Sequence, residues 1–334
     1  MFTFLALSLA HAEDKAEEKA EPKFPIVKPS GVIFPRWSLD LTDGSDMYNE
    51  FAVDRVYLRT DVQINKRFGA RITLDADHMK PVETDTGSFL YDTKYRVFVK
   101  HAYLEIKDLG PIKIKAGIID TPYTAWWDNF WGNRYISESF AKQYKVLATA
   151  DAGVSVQGAH ADGLLDWNVS LLNGEGYDKL EVDAGKAVQA RITVDPLAKQ
   201  KDLDLPITGF VSYQGHPTSG GEPTLVYGGG AGFQIPRLLV WAEVLGESEG
   251  GTSGLGYSAT ANPRLPKYLG LVARYDHWDP DTSADNDGET RILAGLDKDF
   301  FDKVSLAVMY ERSWVEGAED SAEHGIVVHG QAGF

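Results

Sequence analysis

The chain has 334 residues, 43% of them apolar, with 33 glycines, no cysteine and a formal net charge of −16. Without cysteine there is no disulfide framework, zinc-finger site or thiol nucleophile, and the acidic balance lacks the basic footprint of general nucleic-acid binding. Beyond the N-terminus no run of about eighteen apolar residues exists to form a membrane-spanning helix. A spanning strand needs only about 9–11 residues, every second one apolar, so mean hydropathy does not exclude a barrel.

The opening MFTFLALSLAHA (1–12) is an apolar run closing on Ala10-His11-Ala12, a secretory signal pattern. It lacks a basic leader, which points to a translation start further upstream. Residues 13–30 alternate charges and then carry prolines, the composition of a solvated periplasmic lead-in. The mature fold is expected from about Gly31 to Phe334. Export with no cysteine fits a Gram-negative envelope protein.

After residue 30 helical periodicity is scarce and period two is frequent. RFGARITLDADHM sets Phe68, Ala70, Ile72, Leu74 and Ala76 against Arg71, Thr73, Asp75 and Asp77. PIKIKAGI sets Ile112, Ile114 and Ala116 against Lys113 and Lys115; KAVQARITVD sets Val188, Ala190, Ile192 and Val194 against Gln189, Arg191 and Thr193. GETRILAGLD sets Ile292, Ala294 and Leu296 against Arg291, Leu293 and Gly295. A water-facing sandwich also alternates, but these strands are long for a soluble sheet and their polar sides carry several charges. The expectation is an all-β, transmembrane antiparallel barrel of about sixteen strands, with eighteen as the alternative. A cation on the lipid face costs about 2–4 kcal/mol at the midplane, so Arg71, Asp75 and Asp77 must face a water-filled interior.

Connections at 107–111 and 299–303 read as short periplasmic turns, and the acidic segments 247–254, 276–290 and 316–325 as long outer loops. The terminal GIVVHGQAGF places Phe334 on the lipid parity of a closing strand, where an interfacial aromatic girdle sits.

Several stretches, in chain order, resemble the phosphate-selective porins O and P of Gram-negative outer membranes: AYLEIKDLGPIKIKAGIIDTPY, SESFAKQYKVLATADAGVSVQG, WNVSLLNGEGYDKLEVDAGKAVQARITVDP, LGLVARYDHWDPD and the final Phe. The resemblance covers most of 31–334. It implies a sixteen-stranded, trimeric barrel in outer-membrane lipid and lipopolysaccharide, whose third loop, about 120–147, folds inward. It also implies that the barrel assembly machinery reads the last strand. Family selectivity rests on inward arginines and a lysine cluster. Arg36, Arg55, Arg59, Arg71, Arg191, Arg274 and Arg291, with Lys113 and Lys115, fall on the inner parity, and the loop supplies Arg134, Lys142 and Lys145. Inner acids accompany them (Asp40, Asp61, Asp75, Asp77, Glu105, Asp276), and the loop adds Asp128, Glu138 and the tryptophans 126, 127 and 131. Strict phosphate specificity therefore does not carry over.

The arginines form either an anion path or wall ion-pair networks that keep the lumen wet. The tryptophans are loop anchors or a stacking platform for a sugar or aromatic solute. Asp281, Asp285, Asp287 and Glu289 form a solvated loop or a calcium site without the EF-hand pattern. YGGGAGF (227–233) does not fit a dinucleotide fingerprint and reads as close packing or subunit contact, so no cofactor is expected. A porin passing small hydrophilic solutes or ions, with a weak anion preference, is the expected function. A non-conducting adhesin or anchor is the alternative, and an outer-membrane hydrolase a weaker one, since His101, His277 and His324 show no evident partner.

Overall fold

The computed structural model describes residues 23–78, 82–83, 89–90, 95–181, 184–215, 221–265 and 269–334. The signal segment 1–12, and the lead-in as far as residue 22, lie outside them. Among the described residues sixteen strands close into one antiparallel barrel. The first eight are β1 (Ile26–Asp40), β2 (Asn49–Gln63), β3 (Phe68–His78), β4 (Tyr95–Leu109), β5 (Ile112–Asp120), β6 (Ala150–His160), β7 (Leu165–Leu172) and β8 (Ala187–Val194). The rest are β9 (Ile207–Gln214), β10 (Thr224–Ile235), β11 (Leu238–Glu249), β12 (Thr252–Leu265), β13 (Leu269–Asp279), β14 (Glu289–Phe301), β15 (Val304–Val315) and β16 (Glu323–Gly333).

Each strand pairs with its chain neighbours, and β16 returns to β1 with Val32 opposite Gly333 and Arg36 opposite His329. Closure leaves no unpaired edge, which hydrocarbon would not tolerate. β1 begins at Ile26 rather than near Gly31, because Ile26–Ser30 already pair with Gln63–Arg59 of β2. Phe334 extends the closing pair. The Gly31 amide donates to the Phe334 carbonyl (3.1 Å) and the Phe334 amide to the Gly31 carbonyl (2.9 Å). The exposed Phe334 ring covers Gly31, where an added Cβ would come within 2.3 Å of it.

The period-two alternation sorts side chains as expected. On β3, Ile72 and Leu74 face outward while Thr73 and Asp75 are buried; on β8, Val188 and Ile192 face outward while Gln189 and Arg191 are buried. Exposed aromatics gather in two bands. Tyr213, Tyr227, Tyr257, Tyr275 and Tyr310 lie toward the end that carries the longer connections, and Phe68, Phe300, Phe301 and Phe334 ring the opposite end.

The turns at 110–111 and 302–303 are tight, as expected. Segment 247–254 is not a long loop: Glu247 and Glu249 remain in β11, and Gly250 and Gly251, at φ +58° and +90°, make a two-residue turn. Two successive positive-φ glycines match the twist of a hairpin, a local signal that outweighs the acidic composition. The acidic loops between β13 and β14 and between β15 and β16 shrink to 280–288 and 316–322, because the strands run into them.

The connection from β5 to β6 enters the barrel. It carries α1 (Pro122–Trp131) and α2 (Phe140–Gln143). Thr121 stands at the N-cap in extended conformation, Pro122 opens the helix, and Gly132 at φ 71° closes it with its amide on the Asp128 carbonyl. On the inward side of β9–β15, Phe210, Val226, Leu239, Trp241, Leu245, Val272, Leu293 and Met309 are buried with Tyr123, Trp127, Trp131, Tyr135, Ile136 and Phe140 of the loop in one apolar cluster, and buried polar residues such as Glu243, Asn262 and Arg274 stand among them. The glycine run 227–233 is the seat of this packing. An added Cβ at Gly230 would lie 2.3 Å from the Trp241 ring, and one at Gly232 2.6 Å from Trp241 and 2.8 Å from Phe130. Trp241 lies 5.3 Å from both Trp126 and Phe130, and Tyr123 stacks on Phe210 at 3.9 Å.

Gly230→Val should therefore overpack the seat and lower barrel stability by about 1–3 kcal/mol, seen as a lower thermal midpoint. Ala231→Val, on the outward side of the same strand, should leave the midpoint unchanged.

Candidate functional site

With one arc of the inner wall covered by the loop, open space remains against the other. A cavity of about 700 Å³ lies between α1 and β1–β8. Of the residues expected at a pore, Arg59, Arg71, Lys115 and Arg191 line it. Arg59 and Arg71 share Asp61, at 2.6 and 2.7 Å. Lys115 lies 2.8 Å from Asp120, the last residue before the loop, and His101 sits 2.8 Å from the other Asp120 oxygen. Arg191 is buried: its Nε donates to the Pro122 carbonyl at 3.0 Å, and it bonds Asp166 and Thr193, so it pins the start of α1 while facing the cavity.

Other expected residues serve the loop. Arg274 does not reach open water, and Arg291 is partly buried. Arg274 is 3% exposed, donates to the Glu138 carbonyl (2.6 Å) and Ser137 hydroxyl (3.2 Å), and is held by Asp276 at 2.8 Å. Arg291 donates to the same Ser137 hydroxyl at 3.2 Å. Inner parity placed both correctly, but the loop lies over them, so they act as a latch. Tyr123 donates to buried Glu243 and Asn133 to Asn262 on the same wall.

Arg55 bridges Asp75 (3.2 Å) and Asp77 (2.7 Å) on β3 and reaches Glu138 at 3.9 Å. Arg134 lies between Asp128 and Glu138 within the loop. Lys142 is half-buried; Lys145 is exposed at φ 62°, and Lys113 is exposed on β5 near its first turn. Most of these cations are thus compensated, which is the ion-pair network open from the sequence.

Within the loop, burial alone would raise the Glu138 carboxyl, but Arg134, with Lys142 and Arg55 behind it, holds it at about 2. Burial pushes Lys142 below its ordinary value against the pull of Glu138. Burial also pushes Asp128 up, against Arg134.

Parity alone misses two cavity residues. The β3–β4 register shifts between Thr73 and Leu74, which pair with His101 and Val99 and leave Lys100 as the extra residue of a bulge. Lys100 and His101, adjacent in sequence, therefore both point inward and are buried. The signal is a phase change: Val97 and Val99 are exposed on odd numbers, Leu104 on an even one. Lys100 Nζ donates to Tyr57 Oη at 3.1 Å and lies 4.5 and 5.6 Å from the Tyr57 and Tyr177 rings, with no carboxylate partner among the described residues. Asn129, Gln157, Asp166 and Asn168 also line the cavity; nothing in their local sequence marks them.

The histidines do find partners, contrary to expectation: His101 has Asp120, His277 meets Thr290 (3.0 Å) and Glu316 (3.9 Å), and His324 approaches Tyr310 (3.4 Å). Among the described residues no group of three or more acidic or histidine side chains is placed to hold a metal ion, the 281–289 carboxylates included.

No protein-family profile and no curated protein matches the chain. Solved structures do match. OprB of Pseudomonas putida superposes with a TM-score of 0.70 at 8% identity, over 92% of this chain and 94% of its own. An anion-selective porin from Comamonas acidovorans gives 0.62 at 10% identity, over 93% and 100%. OmpT of Vibrio cholerae, an outer membrane protein in its trimer form, gives 0.63 at 12% identity, over 93% and 100%. The fold is that of the outer-membrane porins.

Glu138 has a folded-state value below its unfolded one, so its contribution is present above about pH 4.3 and lost as pH falls through about 2. Loop-limited conductance should hold steady from about pH 7 to pH 4 and become larger and noisier toward pH 2. Glu138→Gln should bring that behaviour to neutral pH in single-channel recordings.

Proposed function

We propose that this chain is a passive diffusion porin of the Gram-negative outer membrane, assembled as a homotrimer, passing small hydrophilic solutes with a weak preference for anions. The observation that carries the reading is the charge of the cavity wall. Five basic side chains, Arg59, Arg71, Lys100, Lys115 and Arg191, line it against three carboxylates, Asp120, Asp128 and Asp166. This excess arises inside a chain of net charge −16. A narrow passage responds to the charges that line it rather than to those on distant loops, which salt screens within about 8 Å.

The apolar belt and its two aromatic bands support an exterior solvated by lipid and lipopolysaccharide. The outward Phe334 at the closing pair supports recognition of the last strand by the barrel assembly machinery. The trimer form of the Vibrio cholerae relative supports threefold assembly, and the selectivity in the name of the Comamonas acidovorans porin agrees with the sign proposed here. No chemical step is needed: solutes diffuse past a constriction whose width is set by the seated loop.

Refolded protein in a planar bilayer under a KCl gradient should give a reversal potential on the chloride side. Lys100→Glu, which exchanges a cation with no direct ion pair among the described residues for an anion, should move it to the potassium side. A potassium-side potential in the wild type would overturn the anion preference, and absence of conductance would overturn the porin.

A further inference from the structure

We infer that the cavity beside α1 is a binding site for an acidic sugar, a pyranose ring bearing one carboxylate; the inference rests on the porin reading and names a solute class for that passage. Three independent features of the lining converge.

The first is an apolar plate. Trp126 is partly exposed to the cavity while most aromatics of the loop are buried. Phe130 backs it in parallel at 5.6 Å with an interplanar angle of 4°, Trp241 supports it at 5.3 Å, and the Arg191 guanidinium lies 5.6 Å from its ring. A ring so braced loses no further freedom when a flat ligand covers it.

The second feature is a set of amides. Asn129, Gln157 and Asn168 line the same cavity. Asn129 Nδ2 donates to the Ala125 carbonyl at 2.8 Å, and Asn168 Nδ2 donates to Gln157 Oε1 at 3.4 Å. This leaves Asn129 Oδ1 to accept and Gln157 Nε2 to donate. Amides do both, as sugar hydroxyls do.

The third is charge. Lys100 is buried, brought inward by the β4 bulge, with its ammonium held by Tyr57 and beside the Tyr177 ring; Asp75 and Asp128 are near enough to feel its charge, but among the described residues no carboxylate forms an ion pair with it. A bulge that re-aims a side chain into a cavity is a placed feature, and an ammonium with no direct ion pair can take the carboxylate of a solute.

Competing solutes use only part of this set. A bare inorganic anion engages the cations and leaves the plate bare. An aromatic acid engages the plate and Lys100 but leaves the amides unmatched, and a neutral sugar leaves the charge unmatched. The cavity, about 700 Å³, is of the size that holds small ligands.

The test is interruption of single-channel KCl current by glucuronate, glucose and benzoate, with titration calorimetry of glucuronate on the detergent-solubilised protein. Glucuronate should half-block at a concentration about tenfold below that of glucose or benzoate. Trp126→Ala and Asn129→Ala should each weaken that block about tenfold, the second at an exposed helix position where the loop stays seated. Lys100→Met should reduce glucuronate to the level of glucose. Equal block by glucose or by benzoate would overturn the inference, as would an open channel with neither glucuronate block nor binding heat. Binding heat without any conductance would support the site and remove the porin.

Discussion

A barrel of this size encloses water, yet one arc of its inner wall, from Phe210 on β9 to Met309 on β15, sets large apolar side chains among its polar ones. That arc must be covered. The third loop covers it, and most other features of the molecule serve this contact. Tyr123, Trp127, Phe140 and Trp241 are among the most deeply buried side chains, each contributing about 1.5–3 kcal/mol. The glycines of β10 let the aromatic layer approach the strand backbone. Arg274 and Arg291 hold the polar edge of the loop, and Arg191 holds the start of α1. The passage is what the seated loop leaves open, so its cationic wall follows from which arc is hidden.

Much of this was legible before any coordinates. Alternation at 67–77 and 187–194 separated the outward Ile72 and Ile192 from the inward Asp75 and Arg191, because a charge in lipid costs more than any local preference. The inward course of residues 120–147 came from a resemblance, and its anchors from the tryptophans. What alternation cannot see is a break in itself. Lys100 and His101 enter the lumen together only because β4 carries an extra residue, visible afterwards as a change of phase between Val99 and Leu104. Nor does parity distinguish inside from exposed to the channel. Arg274 is inside and sealed, and Arg291 inside and partly covered, since a loop remote in sequence lies on them. Composition misled at 247–254, where two glycines turn the chain within two residues.

Charge shows the same separation of scales. The acidic total sits largely in loops and in carboxylates paired with wall arginines, such as Asp75 and Asp77 with Arg55. What remains toward the passage is a small local excess of cations. Burial in the loop raises the stakes of each pair: Glu138 stays ionised because Arg134 faces it, and the pair stiffens the segment that defines the opening.

The central claim is that the loop seals one arc and leaves the other open. The chain has no cysteine, so single replacements report alone. Gln157→Cys, Val272→Cys and Leu293→Cys, treated with a charged water-soluble thiol reagent during conductance recording, test the claim directly: Gln157 is a partly exposed residue of the cavity wall, and Val272 and Leu293 lie buried under the loop. A seated loop predicts fast modification and a drop in current at 157, and no modification at 272 or 293. Equal reactivity at all three positions would contradict it.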